Sequence, residues 1–119
     1  MSEDYEPINP VMLESEIRKS DESIAKSIVP VSKAYDAWKS AELQLDKAYA
    51  LAYRDADGSV EDRKQAAFLA TIDLAWAAKD ADVVYRRMRD YQRAYRDRLS
   101  AFQSLSKSVV AAYNVAGRP

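Results

Sequence analysis

The sequence predicts an all-α protein that folds as one long antiparallel helical hairpin, similar in its packing to a coiled coil. The 119-residue chain confines all of its Gly, Pro and Asn to eight positions, and residues 59–113 contain none of these helix breakers. On both sides of Gly58, apolar residues recur at alternating steps of about three and four, which is the spacing of a coiled-coil seam. Two helical arms joined by one turn explain both observations.

The first arm is predicted to span residues 10–56, after an acidic mobile tail at residues 1–9. Asn9 can cap the helix and Pro10 suits its first turn. Pro30 lies within the apolar pattern, so the arm is predicted to be kinked or broken there, and a fold-back at Pro30 into a three-helix bundle is the alternative. The predicted seam of this arm is Leu13, Ile17, Ser20, Ile24, Ile28 or Ser27, Val31, Tyr35, Trp38, Glu42 or Ala41, Leu45, Tyr49 or Ala48, and Ala52.

The turn is predicted at residues 57–59 and the second arm at residues 60–115, within a single helical domain of residues 10–119. Gly58 suits a left-handed conformation, and Ser59 with Asp62 forms a capping pattern. A register in which residue i faces residue 115 minus i aligns the two stripes and places Trp38 against Trp76 or Ala77. The predicted seam of this arm is Leu69, Ile72, Trp76, Asp80, Val84, Met88, Tyr91, Tyr95, Leu99, Phe102, Leu105, Val109 and Ala112.

The composition argues against catalysis. The chain has no His and no Cys, so it has no thiol or imidazole nucleophile or base and none of the usual soft-metal sites, and its hydroxyls have no His to activate them. No catalytic, cofactor-binding or metal-binding residue is predicted, and no cofactor is expected. Because no apolar run is long enough to span a membrane and the first residues are acidic, we expect a soluble cytoplasmic protein with no membrane partner.

One charged stripe stands out on the second arm. Arginines at helical spacing lie among tyrosines, a combination that suits phosphates and unstacked bases. The alternative is that the arginines form ion pairs with acids of the first arm and so define the helix pairing. The candidate face for nucleic acid or an acidic partner is Arg86, Arg89, Arg93, Arg96 and Lys107. The acids that could satisfy it are Glu14, Glu16, Asp21 and Glu22.

A two-helix hairpin buries only one stripe of each helix, and this chain has apolar residues left over. The end of the second arm is predicted to overhang the first. Exposed apolar stripes usually mark self-association or a helical partner, so we expect a homo-oligomer. The candidate association surface is Leu105, Val109, Val110, Tyr113 and Val115.

Two segments carry a family resemblance. The first runs from Asp57 through Gly58-Ser59-Val60-Glu61-Asp62-Arg63-Lys64-Gln65 to Ala66, and the second joins Arg98, Gln103-Ser104 and Lys107-Ser108. Over residues 34–117 the chain resembles small Ala-rich two-helix accessory proteins of tailed phages, notably phages of actinobacterial hosts. The resemblance implies the cytoplasm of a host cell and a place among recombination or replication factors, and it assigns no functional residue.

Three functions follow from these features, in order of preference. The first is a non-enzymatic helical interaction protein that self-associates and binds a protein partner as a phage accessory factor. The second is an accessory protein that binds single-stranded nucleic acid in phage recombination or replication. The third is an inhibitor of a host defence enzyme that uses its acidic N-terminal face.

Overall fold

The computed structural model describes residues 9–117, and it contains three helices: α1 (Pro10–Asp55), α2 (Val60–Ala70) and α3 (Ile72–Ala116). No strand occurs among residues 9–117. The predicted all-α class and the helical hairpin are therefore confirmed, with α1 before the turn and α2 and α3 after it. Most of the predicted acidic tail, residues 1–8, lies outside the described residues.

Helix α1 begins at the predicted cap and continues through Pro30. The Asn9 side-chain oxygen accepts a hydrogen bond of 2.8 Å from the backbone N–H of Met12, as expected of an N-cap. Pro30 lies inside the helix and is exposed. Since α1 is uninterrupted from residue 10 to residue 55, the predictions of a break at Pro30 and of a three-helix fold-back there are wrong. The apolar stripe keeps its spacing on both sides of Pro30, so packing can hold the helix despite one lost hydrogen bond.

The turn between α1 and α2 has the predicted chemistry. Gly58 adopts φ 105, in the left-handed region. The Ser59 hydroxyl accepts a hydrogen bond from the backbone N–H of Asp62, and the Asp62 carboxylate accepts one from that of Ser59, which completes a capping box. Across the turn, the Arg63 Nε donates to the Tyr53 carbonyl at 3.1 Å, so the two helices are tied together beside their connection.

A break at Thr71 divides the predicted second arm into α2 and α3. Its backbone has φ −116 and ψ 11, and its N–H is shared between the carbonyls of Ala67 and Phe68, each at 3.2 Å. The Thr71 hydroxyl also donates to the Ala67 carbonyl at 2.8 Å. Hydroxyl side chains that bond to the preceding turn compete with the helical ladder. The prediction of one continuous helix over residues 60–115 is therefore wrong.

The chain forms two compact units. The turn unit comprises residues 29–89, and the terminal unit comprises residues up to 28 together with those from 90 onward. In the turn unit the rings of Tyr35 and Tyr85 lie 5.3 Å apart between their centroids. In the terminal unit the Gln92 side-chain nitrogen donates to the Ser27 hydroxyl at 2.9 Å. The helices of each unit are therefore paired side by side.

These contacts correct the predicted register. That register placed Tyr35 opposite residue 80 and Ser27 opposite residue 88, whereas the observed partners are Tyr85 and Gln92. Next to the turn it is accurate to one residue, because Tyr53 was predicted to face residue 62 and contacts Arg63. The shift of four to five residues lies beyond Thr71, whose interruption of the helix a uniform register ignores.

The residues buried between the helices are mostly small. Only six of residues 9–117 are buried, and five of them are Ala, Ser or Thr, with Leu13 the sixth. The five are Ser20, Ala34, Ala67, Thr71 and Ala78. The large apolar residues of the seam are half-buried, because a pair of helices covers only one side of each.

The seam of the first arm follows the prediction at every position except one. Tyr35 is 47% exposed, and the neighbouring Ala34 is buried in its place. The predicted seam of the second arm is half right. The observed seam holds the predicted Met88, Tyr95, Leu99, Phe102 and Val109. It also holds Ala78, Tyr85 and Gln92, which were not predicted. The predicted seam residues that are exposed instead are Leu69, Trp76, Asp80, Val84, Tyr91, Leu105 and Ala112.

We predict that Gly58→Ala lowers the free energy of unfolding by about 1–3 kcal/mol. A Cβ at this position would lie 2.9 Å from the Asp62 carboxylate oxygen of the capping box, and its φ of 105 is strained for any L side chain. The measurement is urea denaturation followed by circular dichroism. The control is Asp57→Ala, a change at the exposed neighbour, which should stay within about 0.5 kcal/mol of the parent. Equal stability of the two variants would contradict this account of the turn.

Candidate interaction surfaces

An aromatic cluster joins α1 and α3 in the turn unit. The rings of Trp38 and Tyr85 stack with their centroids 5.3 Å apart, and Tyr35 meets the edges of both, at 6.0 and 5.3 Å. The Lys39 ammonium lies 4.0 Å above the Trp38 ring, and the Arg89 guanidinium lies 5.6 Å from the Tyr85 ring. These geometries are favourable for aromatic and cation–π pairs. The cluster therefore holds the two helices together and brings cations to its rim.

The two tryptophans do not face each other as predicted. Trp38 is half-buried within the cluster, while Trp76 is 55% exposed on the outer side of α3. Tyr85, which the predicted seam omitted, occupies the position opposite Trp38. Trp38 is therefore a packing residue, and the large apolar surface of Trp76 is left to solvent.

Trp76 belongs to a second apolar stripe on α2 and α3, three of whose four members the predicted seam had placed between the helices. Leu69 and Val83 are 69% and 41% exposed, and Ile72 is half-buried beside an open hollow of about 150 Å³. Leu69 lies midway between the buried Ala67 and Thr71, so it points away from the seam. We call Leu69, Ile72, Trp76 and Val83 the outer stripe.

The spacing of the outer stripe explains why most of its residues were predicted to lie in the seam. Its members follow one another at three, four and seven residues, which is also the spacing of a seam. Periodicity alone therefore could not distinguish the stripe that packs inward from the one that faces outward. The signal that could have separated them is size, because the inward stripe carries Thr71 and Ala78 where the outer stripe carries Leu69 and Trp76.

The candidate basic face has different environments in the two units. In the turn unit, the Arg86 Nε pairs with the Asp82 carboxylate at 2.8 Å, and Arg89 lies against Tyr85. In the terminal unit, Arg93, Arg96 and Lys107 are exposed. Within residues 9–117 no salt bridge reaches any of these three. The terminal-unit cations are thus the members of the face whose charge is left for a ligand.

Two of the four acids expected to satisfy the arginines pair with cations of α1 instead. Glu14 pairs with Arg18 at 3.6 Å, and Glu16 pairs with Lys19 at 3.6 Å, in each case within α1. Asp21 and Glu22 are exposed. Because these pairs join residues three or four positions apart along one helix, they stabilise α1 and do not define its pairing with α3.

The candidate association surface at the end of α3 is largely exposed. Val110, Tyr113 and Val115 are 46%, 58% and 68% exposed, and Leu105 is 36% exposed. Val109 differs, since it is half-buried at a seam position. Four of the five predicted residues are therefore accessible to a partner.

Across residues 9–117, no set of three carboxylate, imidazole or thiol side chains is gathered in a way that could hold a metal ion. None of the three helices, over the same residues, has an apolar stretch that could cross a membrane. No family model, curated protein or solved structure matches this chain. The surfaces described above are therefore the features from which a function has to be inferred.

We predict opposite outcomes for the two tryptophans in dilute solution. Trp38→Ala removes the centre of the aromatic cluster and should lower the free energy of unfolding by about 2–4 kcal/mol. Trp76→Ala deletes an exposed side chain and should change it by less than about 1 kcal/mol. Thermal and urea denaturation of both variants, followed by circular dichroism, measures the difference. A Trp76→Ala variant as unstable as Trp38→Ala would contradict the assignment.

Proposed function

We propose that this protein is a non-enzymatic helical interaction protein that self-associates and binds a protein partner, in an accessory role such as that of the phage proteins it resembles. The observation that carries the proposal is the exposure of its apolar residues. Among residues 9–117, eighteen large apolar side chains are at least 36% exposed, and no large side chain is fully buried. Where such residues form a continuous stripe, as Leu69, Ile72, Trp76 and Val83 do, they mark a site of association.

The pairing of only two helices is the physical reason for this exposure. Each helix of the pair can bury one stripe, whose large apolar residues are half-buried and whose few fully buried positions are mostly Ala, Ser and Thr. The apolar side chains outside that stripe lie on the remaining faces, where burial is worth about 25 cal/mol per Å² of apolar surface. Association with another helical surface recovers that free energy, and this supports the proposal.

The chemistry of the side chains supports a role in binding and not in catalysis. The chain has no His and no Cys. Within residues 9–117, the three ion pairs described above join residues no more than four positions apart. The same holds for the pairs Lys39–Glu42 and Arg54–Asp55. Pairs of this kind stabilise individual helices and leave apolar contact as the main contribution to association.

Sedimentation velocity at increasing protein concentration tests the proposal. We expect a dimer or larger species at micromolar concentrations, and we expect it to persist in high salt because apolar association is not screened. A control for apolar dependence is the double change Val110→Ser and Tyr113→Ser, which should weaken any assembly that uses the end of α3. A species that remains monomeric throughout the micromolar range would refute self-association.

A second function, binding of single-stranded nucleic acid, is favoured by one observation. Arg93, Arg96 and Lys107 are exposed on α3 and have no salt bridge within residues 9–117. Exposed guanidinium groups can bind phosphates in bidentate geometry, whereas the neighbouring Tyr95 is half-buried in the seam. The observation concerns the terminal unit alone, and a surface there could act alongside self-association.

We predict that the double change Arg93→Glu and Arg96→Glu abolishes binding to a fluorescent oligodeoxythymidylate, as measured by anisotropy at low salt. If both arginines contact phosphates, the loss of each cation reduces the magnitude of the slope of log affinity against log salt by about one. The matched control is Arg18→Glu with Lys19→Glu, which makes the same charge change on α1, where both cations have helical partners. Equal loss in both variants, or no binding by the parent protein, would rule out this site.

A further inference from the structure

We propose that the outer stripe of the turn unit binds the outer stripe of a second copy of this chain, with the two α3 helices antiparallel and Trp76 on the twofold axis. This inference rests on the proposed self-association and names the surface that mediates it. The stripe is formed by Leu69, Ile72, Trp76 and Val83, as defined above.

The outer stripe has the spacing of a helix-packing surface. Its side chains follow the alternation that helices use to interlock, and they lie on the side of α2 and α3 away from α1. Trp76 is its largest member and is 55% exposed. A Trp side chain can bury about 150–250 Å² in an interface and is among the residues that most often anchor one.

The stripe is also self-complementary. A twofold axis through Trp76 places residues that are equally distant from it opposite each other. Val83 lies seven residues after Trp76 within α3, and Leu69 lies seven before it, across Thr71 in α2. In the antiparallel arrangement the Val83 of each copy therefore lies toward the exposed Leu69 of the other.

Two opposite charges lie on either side of Trp76. Asp73 lies three residues before Trp76 and Lys79 lies three after it, and both are exposed. The same twofold axis brings the Asp73 carboxylate of each copy to the Lys79 ammonium of the other. Lys79 already lies 4.7 Å above the Trp76 ring, so its charge is held at the centre of the stripe. The antiparallel dimer therefore has two Asp73–Lys79 contacts, one on each side of the axis. A parallel pairing would lose both.

A second copy fits this surface because one symmetry operation brings Val83 toward Leu69 and Asp73 to Lys79, while the half-buried Ile72 lies opposite Asp80. One helix face covers less than the roughly 800 Å² per partner of a standard interface, so we expect dimerisation in the micromolar range. An unrelated helical partner would require complementary residues of its own and would not respond to the exchange of charges described next.

The first test compares Trp76→Ala with Tyr91→Ala by sedimentation equilibrium. Both changes remove an exposed aromatic ring from α3, and Tyr91 is 67% exposed outside the outer stripe. We expect Trp76→Ala to raise the dimer dissociation constant by about tenfold or more, and Tyr91→Ala to leave it unchanged. Circular dichroism verifies that both variants keep the helical content of the parent.

The second test exchanges the charges. Asp73→Lys alone and Lys79→Asp alone each place like charges across the axis and should weaken the dimer. The double variant, Asp73→Lys with Lys79→Asp, restores opposite charges in the reverse order and should recover the affinity of the parent protein. Recovery is specific to an antiparallel contact between identical chains.

The outcomes separate this inference from the proposed function. If the parent protein is monomeric, self-association itself is refuted. If the parent protein associates but neither Trp76→Ala nor the single charge changes weaken it, self-association stands and the outer stripe is not its interface. If the single charge changes weaken it and the double variant stays weak, the antiparallel arrangement about Trp76 is wrong.

Discussion

The pairing of only two helices is the constraint on which the rest of the structure depends. Each helix covers one stripe of the other, so few positions, among them Leu13, Ala34 and Ala78, are buried, while the larger seam residues are half-buried. No other helix of residues 9–117 covers the faces outside the seam. Its consequence is that eighteen large apolar side chains of these residues are at least 36% exposed.

The aromatic residues divide into those that lie between the helices and one that lies on an outer face. Where Trp38 and Tyr85 enter between the helices of the turn unit, they stack and are flanked by Tyr35 and by cations. Where the seam is filled by Thr71 and Ala78, the large Trp76 lies on the opposite side of its helix. The small residues that hold the helices together thus determine which face is available to another protein.

The helical class, the capped turn and the first-arm seam were predictable because they depend on local chemistry. Gly58, Ser59 and Asp62 act within four residues of one another, and their conformations follow from their own side chains. The register of the second arm was not predictable from spacing. Two stripes on that arm share the same period, and the choice between them depends on how closely α1 approaches, which is a tertiary property.

The break at Thr71 and the candidate sites show the same limit. The Thr71 hydroxyl bonds to the preceding turn in a buried position, and bonds of this kind can bend or interrupt a helix. Likewise, the sequence left open whether the arginines pair with acids of the first arm, and it could not show that Glu14 and Glu16 have partners within α1. The exposed apolar residues were expected as a class, whereas the position of Trp76 among them required the structure.

Concentration-dependent quenching of Trp76 fluorescence tests the central claim most directly, namely that the exposed apolar faces become covered when copies of this chain meet. A Trp38→Phe variant keeps an aromatic ring in the cluster and leaves Trp76 as the sole indole of the chain. We predict that acrylamide quenches it readily at nanomolar protein and less effectively at tens of micromolar, with a shift of emission to shorter wavelength. Quenching that stays equally strong across this range would contradict the account.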